Sequence, residues 1–171
     1  MLSALAQAVK SALPSLRRYA CALVGSTRAG DCYVEICLET IVQDTGRLSS
    51  RQDVRLALFK VFHEVICVFE PMLIEQRGAI LESDTMQHRI VELPFRMRQA
   101  LLLAFLEEFS CAQISEILDI SADEVLADLT AACGMLMGQC RAGVLTLEGD
   151  AMAAIAHHTR HAPLGIAGAQ I

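Results

Sequence analysis

Residues 110–137, SCAQISEILDISADEVLADLTAACGMLM, carry the pattern of two capped helices joined by a tight turn. Ser110 is followed three residues later by Gln113, and Ser121 by Glu124, which is the spacing of a capping box at a helix N-terminus. Apolar residues recur between these caps at spacings of three and four, the period of an amphipathic helix. The stretch therefore predicts a helix-turn-helix. The side chains expected to face inward are Ile114, Ile117, Val125 and Leu129.

The charge of this region is the opposite of what a DNA-binding helix-turn-helix needs. No lysine or arginine occurs between Gln99 and Cys140. The acids in the same span are Glu107, Glu108, Glu116, Asp119, Asp123, Glu124 and Asp128. Most of the affinity of DNA-binding proteins comes from cations that displace counterions from the phosphates. We therefore expect this region to bind a protein partner and not DNA.

The rest of the chain as far as residue 140 is also predicted to be helical, because its apolar residues recur at helical rather than alternating spacing. Pro14 is expected to open a helix that Gly25 closes, and Pro71 is expected to end one. The predicted helices are 3–11, 14–24, 29–43, 53–69, 95–109, 112–118 and 122–137. Residues 144–147 resemble a short strand.

This pattern predicts an all-α protein with two helical units. The first unit covers residues 1–70 and the second, which contains the helix-turn-helix, covers residues 92–140. Between them, residues 71–91 mix charges and glycine with weak periodicity, which indicates a linker. Residues 141–171 are too few to build a core of their own and form a separate tail.

Composition excludes several classes of protein. The formal net charge is −6, which argues against a general binder of nucleic acid or of anionic membranes. No apolar run reaches the roughly 20 residues of a membrane span. The start of the chain also lacks the basic region and cleavage site of a signal peptide, so we expect a cytoplasmic protein.

No catalytic, cofactor or metal site is expected. The seven cysteines include no C-x-x-C pair and are odd in number, so they are interpreted as small apolar residues. The tail histidines His157, His158 and His161 have no obvious partner ligand. No phosphate-binding loop or nucleophile motif occurs, so we expect no enzyme activity.

Two basic groups remain to be interpreted. Arg17, Arg18, Arg47, Arg51 and Arg55 in the first unit are expected to form a solvated face paired with Glu39 and Asp53. Arg96 and Arg98 are expected to flank the helix that begins the second unit.

The two units resemble regions 2 and 4 of an extracytoplasmic-function sigma factor, and more closely the sigma-like domain of PhyR-type general stress response regulators. The motifs that carry this resemblance in the first unit are Leu16-Arg17-Arg18-Tyr19-Ala20, Gly30-Asp31, Tyr33-Val34, Leu38-Glu39 and Val54-Arg55-Leu56-Ala57-Leu58. Those in the second unit are Leu93-Pro94, Arg98-Gln99-Ala100-Leu101-Leu102-Leu103, Leu106-Glu107, Phe109-Ser110, Glu116-Ile117-Leu118 and Glu124-Val125.

The resemblance implies a sigma-factor mimic that binds and sequesters a small anti-sigma factor, NepR. The alternative is a working sigma factor that binds core RNA polymerase and promoter DNA. In the family a receiver domain controls the switch by phosphorylation. Here Val144-Leu145-Thr146-Leu147-Glu148 resembles the first receiver strand, and no position of the chain matches a phosphoacceptor aspartate. The chain is therefore expected to be a truncated regulator or a fragment of one.

A partner helix is expected to dock into apolar grooves of both units. The candidate contact residues, chosen as apolar positions on the matching helices, are Tyr33, Val34, Leu38, Leu102, Phe105, Leu106 and Phe109. A role in the buried core is the alternative for each of them.

Overall fold

The computed structural model of the chain describes residues 2–48, 53–75 and 86–140. The predicted strand at 144–147 and the receiver-like tail lie outside these residues. Throughout the described part the chain is helical and contains no strand, which confirms the all-α prediction. The helices are α1 (Leu2–Val24), α2 (Thr27–Gln43), α3 (Val54–Glu75), α4 (Met86–Glu92), α5 (Phe95–Phe105), α6 (Cys111–Leu118) and α7 (Ala122–Cys140), with a 3-10 turn at Thr45–Arg47.

Helices α1, α2 and α3, here called the N-terminal helices, pack around aromatic residues. Tyr19 of α1 is fully buried and its ring lies 5.4 Å from that of Phe59 and 5.8 Å from that of Phe62, both on α3. Aromatic rings in tilted or edge-on contact add to the stability that comes from burying their apolar surface. Leu16 and Leu23, spaced from Tyr19 by three and four residues, complete the buried face of α1.

Two predictions about proline are wrong. Pro14 does not open a new helix, because α1 is continuous from Leu2 to Val24 with Pro14 inside it. Likewise, α3 continues beyond Pro71 to Glu75. An internal proline removes one backbone hydrogen bond, but burial of apolar residues on both sides of Pro14 outweighs that loss and keeps α1 intact.

Helices α1 and α2 approach each other most closely at Gly30. A β-carbon built on Gly30 would lie 2.7 Å from the backbone nitrogen of Cys21 and 2.8 Å from its α-carbon. The turn before this crossing uses Gly25 at a φ of 75°, a left-handed conformation that glycine adopts without steric cost. Gly25 therefore ends α1 as predicted.

Helices α5, α6 and α7, here called the C-terminal helices, contain the predicted helix-turn-helix. The capping box of Ser110 and Gln113 is present, and Ser121 exchanges hydrogen bonds with Glu124 in the same way. The turn between α6 and α7 passes through Asp119 at a φ of 54°. The inward side chains expected from the sequence are all buried: Ile114, Ile117, Val125 and Leu129.

Helix α5 is shorter than predicted. It ends at Phe105 rather than at Phe109, because Glu108 adopts a positive φ of 57° that no α-helix accommodates. The backbone N–H of Phe109 then donates to the carbonyl of Leu103 at 3.0 Å, which folds the segment back onto the helix. This tight end of α5 brings Glu107 and Phe109 towards the N-terminal helices.

One hydrophobic core runs through both sets of helices. The ring of Phe59 on α3 lies 5.0 Å from that of Phe109, and both residues are buried. A smaller cluster lies between α5 and α7 around Leu93 and Leu101. The domain boundaries at 70/71 and 91/92 stay predictions, since the structure gives only helix bounds there: α3 reaches Glu75, and α4 lies within the segment expected to be a linker.

Candidate protein-binding surface

The seven residues predicted to contact a partner differ in exposure. Those buried in the core are Val34, Leu102 and Phe109. Those half-buried and packed against the core are Tyr33, Leu38 and Leu106. Phe105 is 37% exposed at the end of α5. The accessible members of the set therefore come from α2 on one side and from the end of α5 on the other.

Other apolar side chains are more exposed than these. Val42 on α2 is 78% exposed and Val68 on α3 is 74% exposed. Neither residue is predicted from the sequence to contact a partner, because their helices carry apolar residues on more than one face. Ile41, next to Val42, and Ile66, two residues before Val68, are buried. On a helical wheel with Ile41 and Ile66 facing the core, Val42 and Val68 fall outside the buried face. This periodicity is the sequence signal that would have identified them as exposed.

Glu107 lies at the junction between the two sets of helices. Its side chain is completely buried, and its carboxylate accepts hydrogen bonds from two arginines. Arg18 Nε on α1 donates to Oε1 at 3.0 Å, and Arg55 Nη2 on α3 donates to Oε2 at 3.0 Å. The Arg55 guanidinium also lies 4.2 Å from the centre of the Phe109 ring. Hydrogen bonds to two arginines offset the cost of burying a carboxylate.

Arg98 forms a second buried contact between the two sets of helices. It lies on α5 and is 3% exposed, and its Nη1 donates to the carbonyl of Leu23 at 2.6 Å. That carbonyl belongs to the last turn of α1, where helix carbonyls lack partners within the helix. Arg98 Nη2 donates to the carbonyl of Leu93 at 3.0 Å. The Arg98 guanidinium of α5 therefore caps the C-terminal end of α1.

These contacts correct the interpretation of the basic residues. Arg18 and Arg55 do not form a solvated face with Glu39 and Asp53, because both bind the buried Glu107. The remaining described members have other partners: Arg17 pairs with Asp31, and Arg47 pairs with Asp44 and Glu64. Arg98 does not flank α5 but lies buried on it. Pairing between residues this far apart in sequence leaves no local pattern.

The solvent-facing side of the helix-turn-helix is acidic. Asp123 and Glu124 are exposed at the start of α7, followed along the same helix by exposed Ala127 and Thr130. Asp128 is instead buried and binds Arg96 Nε at 2.7 Å. The nearest cation of α5 is thus already engaged by an acid of α7. The Arg96 side chain is half exposed beside this face, but it also lies 3.9 Å from Glu124 and so is paired with two acids of α7.

No group of histidine, cysteine or acidic side chains in the described residues could hold a metal ion. Free thiols are found at Cys21, Cys32, Cys37, Cys67, Cys111 and Cys133. Burial raises the pKa of Cys37 to about 12. A thiol of such high pKa stays protonated and unreactive. Among the helices that the structure describes, none is long and apolar enough to cross a membrane.

Models of known protein families match segments of this chain in both sets of helices. The model of the Sigma2 domain of PhyR matches residues 9–63, and that of the sigma-like domain of the response regulator PhyR matches residues 92–139. The phyllosphere-induced regulator PhyR of Methylorubrum extorquens is 33% identical over 156 residues, covering 88% of this chain and 55% of that protein. The chain therefore spans about half the length of this curated relative.

Solved structures give the same result. The PhyRSL–NepR complex from Sphingomonas sp. Fr1 is 30% identical with a TM-score of 0.65, and the match covers 85% of this chain and 94% of that one. The anti-anti-sigma factor PhyR complexed with the anti-sigma factor NepR from Bartonella quintana is 27% identical with a TM-score of 0.62, covering 79% of this chain and 50% of that one. By sequence and by fold, the chain belongs to the family of sigma-like domains of PhyR-type response regulators.

Proposed function

We propose that this chain is a sigma-factor mimic that binds and sequesters a NepR-like anti-sigma factor, so that the true sigma factor is released. Two of the relatives described above are in complex with NepR. Their similarity to this chain extends over most of the described helices. Such a protein would act in the cytoplasm, where sigma factors meet RNA polymerase, and it would need no catalytic activity and no cofactor.

The observation that carries the proposal is a helix-turn-helix without cations on its solvent-facing side. A working sigma factor needs phosphate contacts to hold promoter DNA in register. The exposed residues of α7 include Asp123, Ala127 and Thr130, none of which carries a positive charge. The helix-turn-helix therefore keeps the fold by which an anti-sigma factor could recognise a sigma factor. Its exposed side lacks the positive charge that promoter binding needs.

The partner is proposed to bind as an amphipathic helix that lies against both sets of helices. The accessible candidates for direct contact are Phe105 and Leu106 at the end of α5, and Tyr33 and Leu38 on α2. The buried candidates, Val34, Leu102 and Phe109, would support this surface from beneath rather than touch the partner. The two-unit organisation, with residues 1–70 and 92–140 acting as regions 2 and 4, is part of the same proposal.

The alternative function, a working sigma factor, is tested by DNA binding. We expect no mobility shift and no footprint on promoter DNA at physiological salt, with or without core RNA polymerase. An authentic extracytoplasmic-function sigma factor from the same organism serves as the positive control with the same polymerase. A sequence-specific footprint given by this chain would overturn the mimic proposal in favour of the alternative.

A further inference from the structure

The buried Glu107 carboxylate is surrounded by groups from three different segments. Glu107 itself follows α5, while Arg18 comes from α1 and Arg55 from α3, 89 and 52 residues away in sequence. Arg55 Nη2 also donates to the backbone carbonyl of Glu107 at 2.7 Å, and Arg18 Nη2 donates to that of Leu106 at 3.4 Å. Both side-chain oxygens and the adjoining backbone are therefore held by the N-terminal helices.

A second buried carboxylate in the protein offers a direct comparison. Asp128 on α7 is also nearly inaccessible and binds Arg96 in two hydrogen bonds, of 2.7 and 3.1 Å. Both members of that pair belong to the C-terminal helices. The two buried pairs are alike in chemistry and burial, but of these two only the Glu107 pair joins one set of helices to the other. Arg98 crosses between the sets as well, through a hydrogen bond to a backbone carbonyl and without a carboxylate partner there.

We propose that Glu107 is a positioning residue for anti-sigma recognition: it fixes the orientation of the C-terminal helices relative to the N-terminal helices, and so assembles a surface that spans both. This inference rests on the proposed function. A partner helix that lies across both sets binds only molecules in which they are correctly arranged, so its apparent affinity scales with the fraction of such molecules.

Removal of the carboxylate leaves two guanidinium groups facing a neutral side chain. An arginine whose buried partner is lost moves towards water rather than stay uncompensated. Arg18 is already 55% exposed at its side chain and can do so readily. The end of α5 would then lose its ion pairs with α1 and α3 and keep the apolar contacts around Phe109, with hydrogen bonds to its backbone carbonyls as the remaining polar link.

The test compares Glu107→Gln with Asp128→Asn in the full chain. Residual dipolar couplings of the backbone amides report the relative orientation of the two sets of helices, and calorimetry with the organism's own NepR-like protein reports affinity. For the wild type and for Asp128→Asn we expect one alignment tensor to fit both sets, with similar affinities. For Glu107→Gln we expect two tensors and binding weakened by about tenfold or more. Glu107→Asp, which keeps the charge, should recover part of the affinity.

Two further results decide the inference. If Glu107→Gln does not fold, Arg18→Gln replaces it, since the Arg18 side chain is half exposed. Glu107 then keeps its pair with Arg55, so we expect a smaller effect: couplings of the C-terminal helices that depart from the wild-type tensor, and a smaller loss of affinity. A folded Glu107→Gln or Arg18→Gln protein with one tensor and wild-type affinity would overturn the positioning role. If the wild type binds no NepR-like protein while Glu107→Gln still gives two tensors, the proposed function fails and the role of Glu107 in orientation stands.

Discussion

The side-chain nitrogen Nε2 of Gln99 lies 3.0 Å from Nδ1 of His63, which joins α5 to α3 through a hydrogen bond at the edge of the core. The imidazole also contacts the thiol of Cys67 at 3.6 Å. Burial lowers the pKa of His63, although the carboxylates of Glu64 and Asp119 act in the opposite direction. The folded protein therefore holds a neutral histidine where its helices meet.

This histidine should make stability depend on pH. Since the pKa of His63 is lower in the folded state than in the unfolded chain, the unfolded chain takes up the proton first as the pH falls below about 6.5. The free energy of unfolding should accordingly fall as the pH is lowered from about 7.5 to about 5.5, a window above the titration of ordinary carboxyls. Urea unfolding of the wild type and of His63→Gln measures the effect. The variant should show a shallower slope, and equal slopes would contradict this role for His63.

The Gly30 crossing should make a normally favourable substitution harmful. Alanine in place of a helical glycine usually stabilises a protein by about 0.5–1 kcal/mol. At Gly30 the added carbon would lie 2.7 Å from the backbone of Cys21 and force α1 and α2 apart. We expect Gly30→Ala to lower the free energy of unfolding by about 1–3 kcal/mol.

The matched control for this substitution is Gly134→Ala on α7, where nothing lies within 4 Å of an added β-carbon. That variant should gain stability in the same denaturation experiment. The described packing of α1 on α2 would be incorrect if Gly30→Ala and Gly134→Ala gave changes of the same sign.

Lysines placed on α7 should create DNA affinity without loss of partner binding. Asp128 is unsuitable because it is buried on Arg96, and Ala131 is half-buried, so the exposed positions are Asp123, Ala127 and Thr130. Lysine at all three should give non-specific DNA binding that weakens with salt, with a log–log slope of up to about −2.7 if each lysine makes one phosphate contact. Fluorescence anisotropy of labelled duplex at several salt concentrations measures this slope.

The same triple variant should bind a NepR-like protein as the wild type does, if recognition rests on apolar contacts. A variant with alanine at Asp123 and serine at Thr130 controls for the loss of the native side chains. Loss of partner binding in the lysine variant alone would mean that the acidic face of α7 belongs to the interface and meets a basic partner.

The parts of the fold that the sequence predicted are those set by local spacing. Ser110 with Gln113, and Ser121 with Glu124, are three residues apart, and their caps mark the helix-turn-helix before any packing is known. Local sequence was a poor guide at Pro14, which was expected to begin a helix and lies inside α1. Burial of Leu16 and its neighbours in the core outweighs the preference of proline for the first turn of a helix.

The junction between the two sets of helices could not be predicted in this way. In the sequence, Glu107 is one of seven acids around the helix-turn-helix, and Arg18, its partner in the structure, lies 89 residues away among arginines expected on a solvated face. A contact at that separation leaves no periodicity to detect. The family resemblance identifies the matching helices but does not say which of their apolar side chains are exposed. Val34 and Phe109 were therefore expected at an interface, whereas both are buried in the core.

The proposed function is tested most directly by competition for the anti-sigma factor. The organism's NepR-like protein is first bound to its sigma factor carrying a fluorescent label, and this chain is then titrated into the complex. The account predicts that the chain displaces the labelled sigma factor in proportion to its own binding of the NepR-like protein. Phe105→Ala should weaken the displacement, whereas Met135→Ala, at a residue of α7 with similar exposure, should leave it unchanged. A folded chain that neither binds the NepR-like protein by calorimetry nor releases the sigma factor would contradict the account.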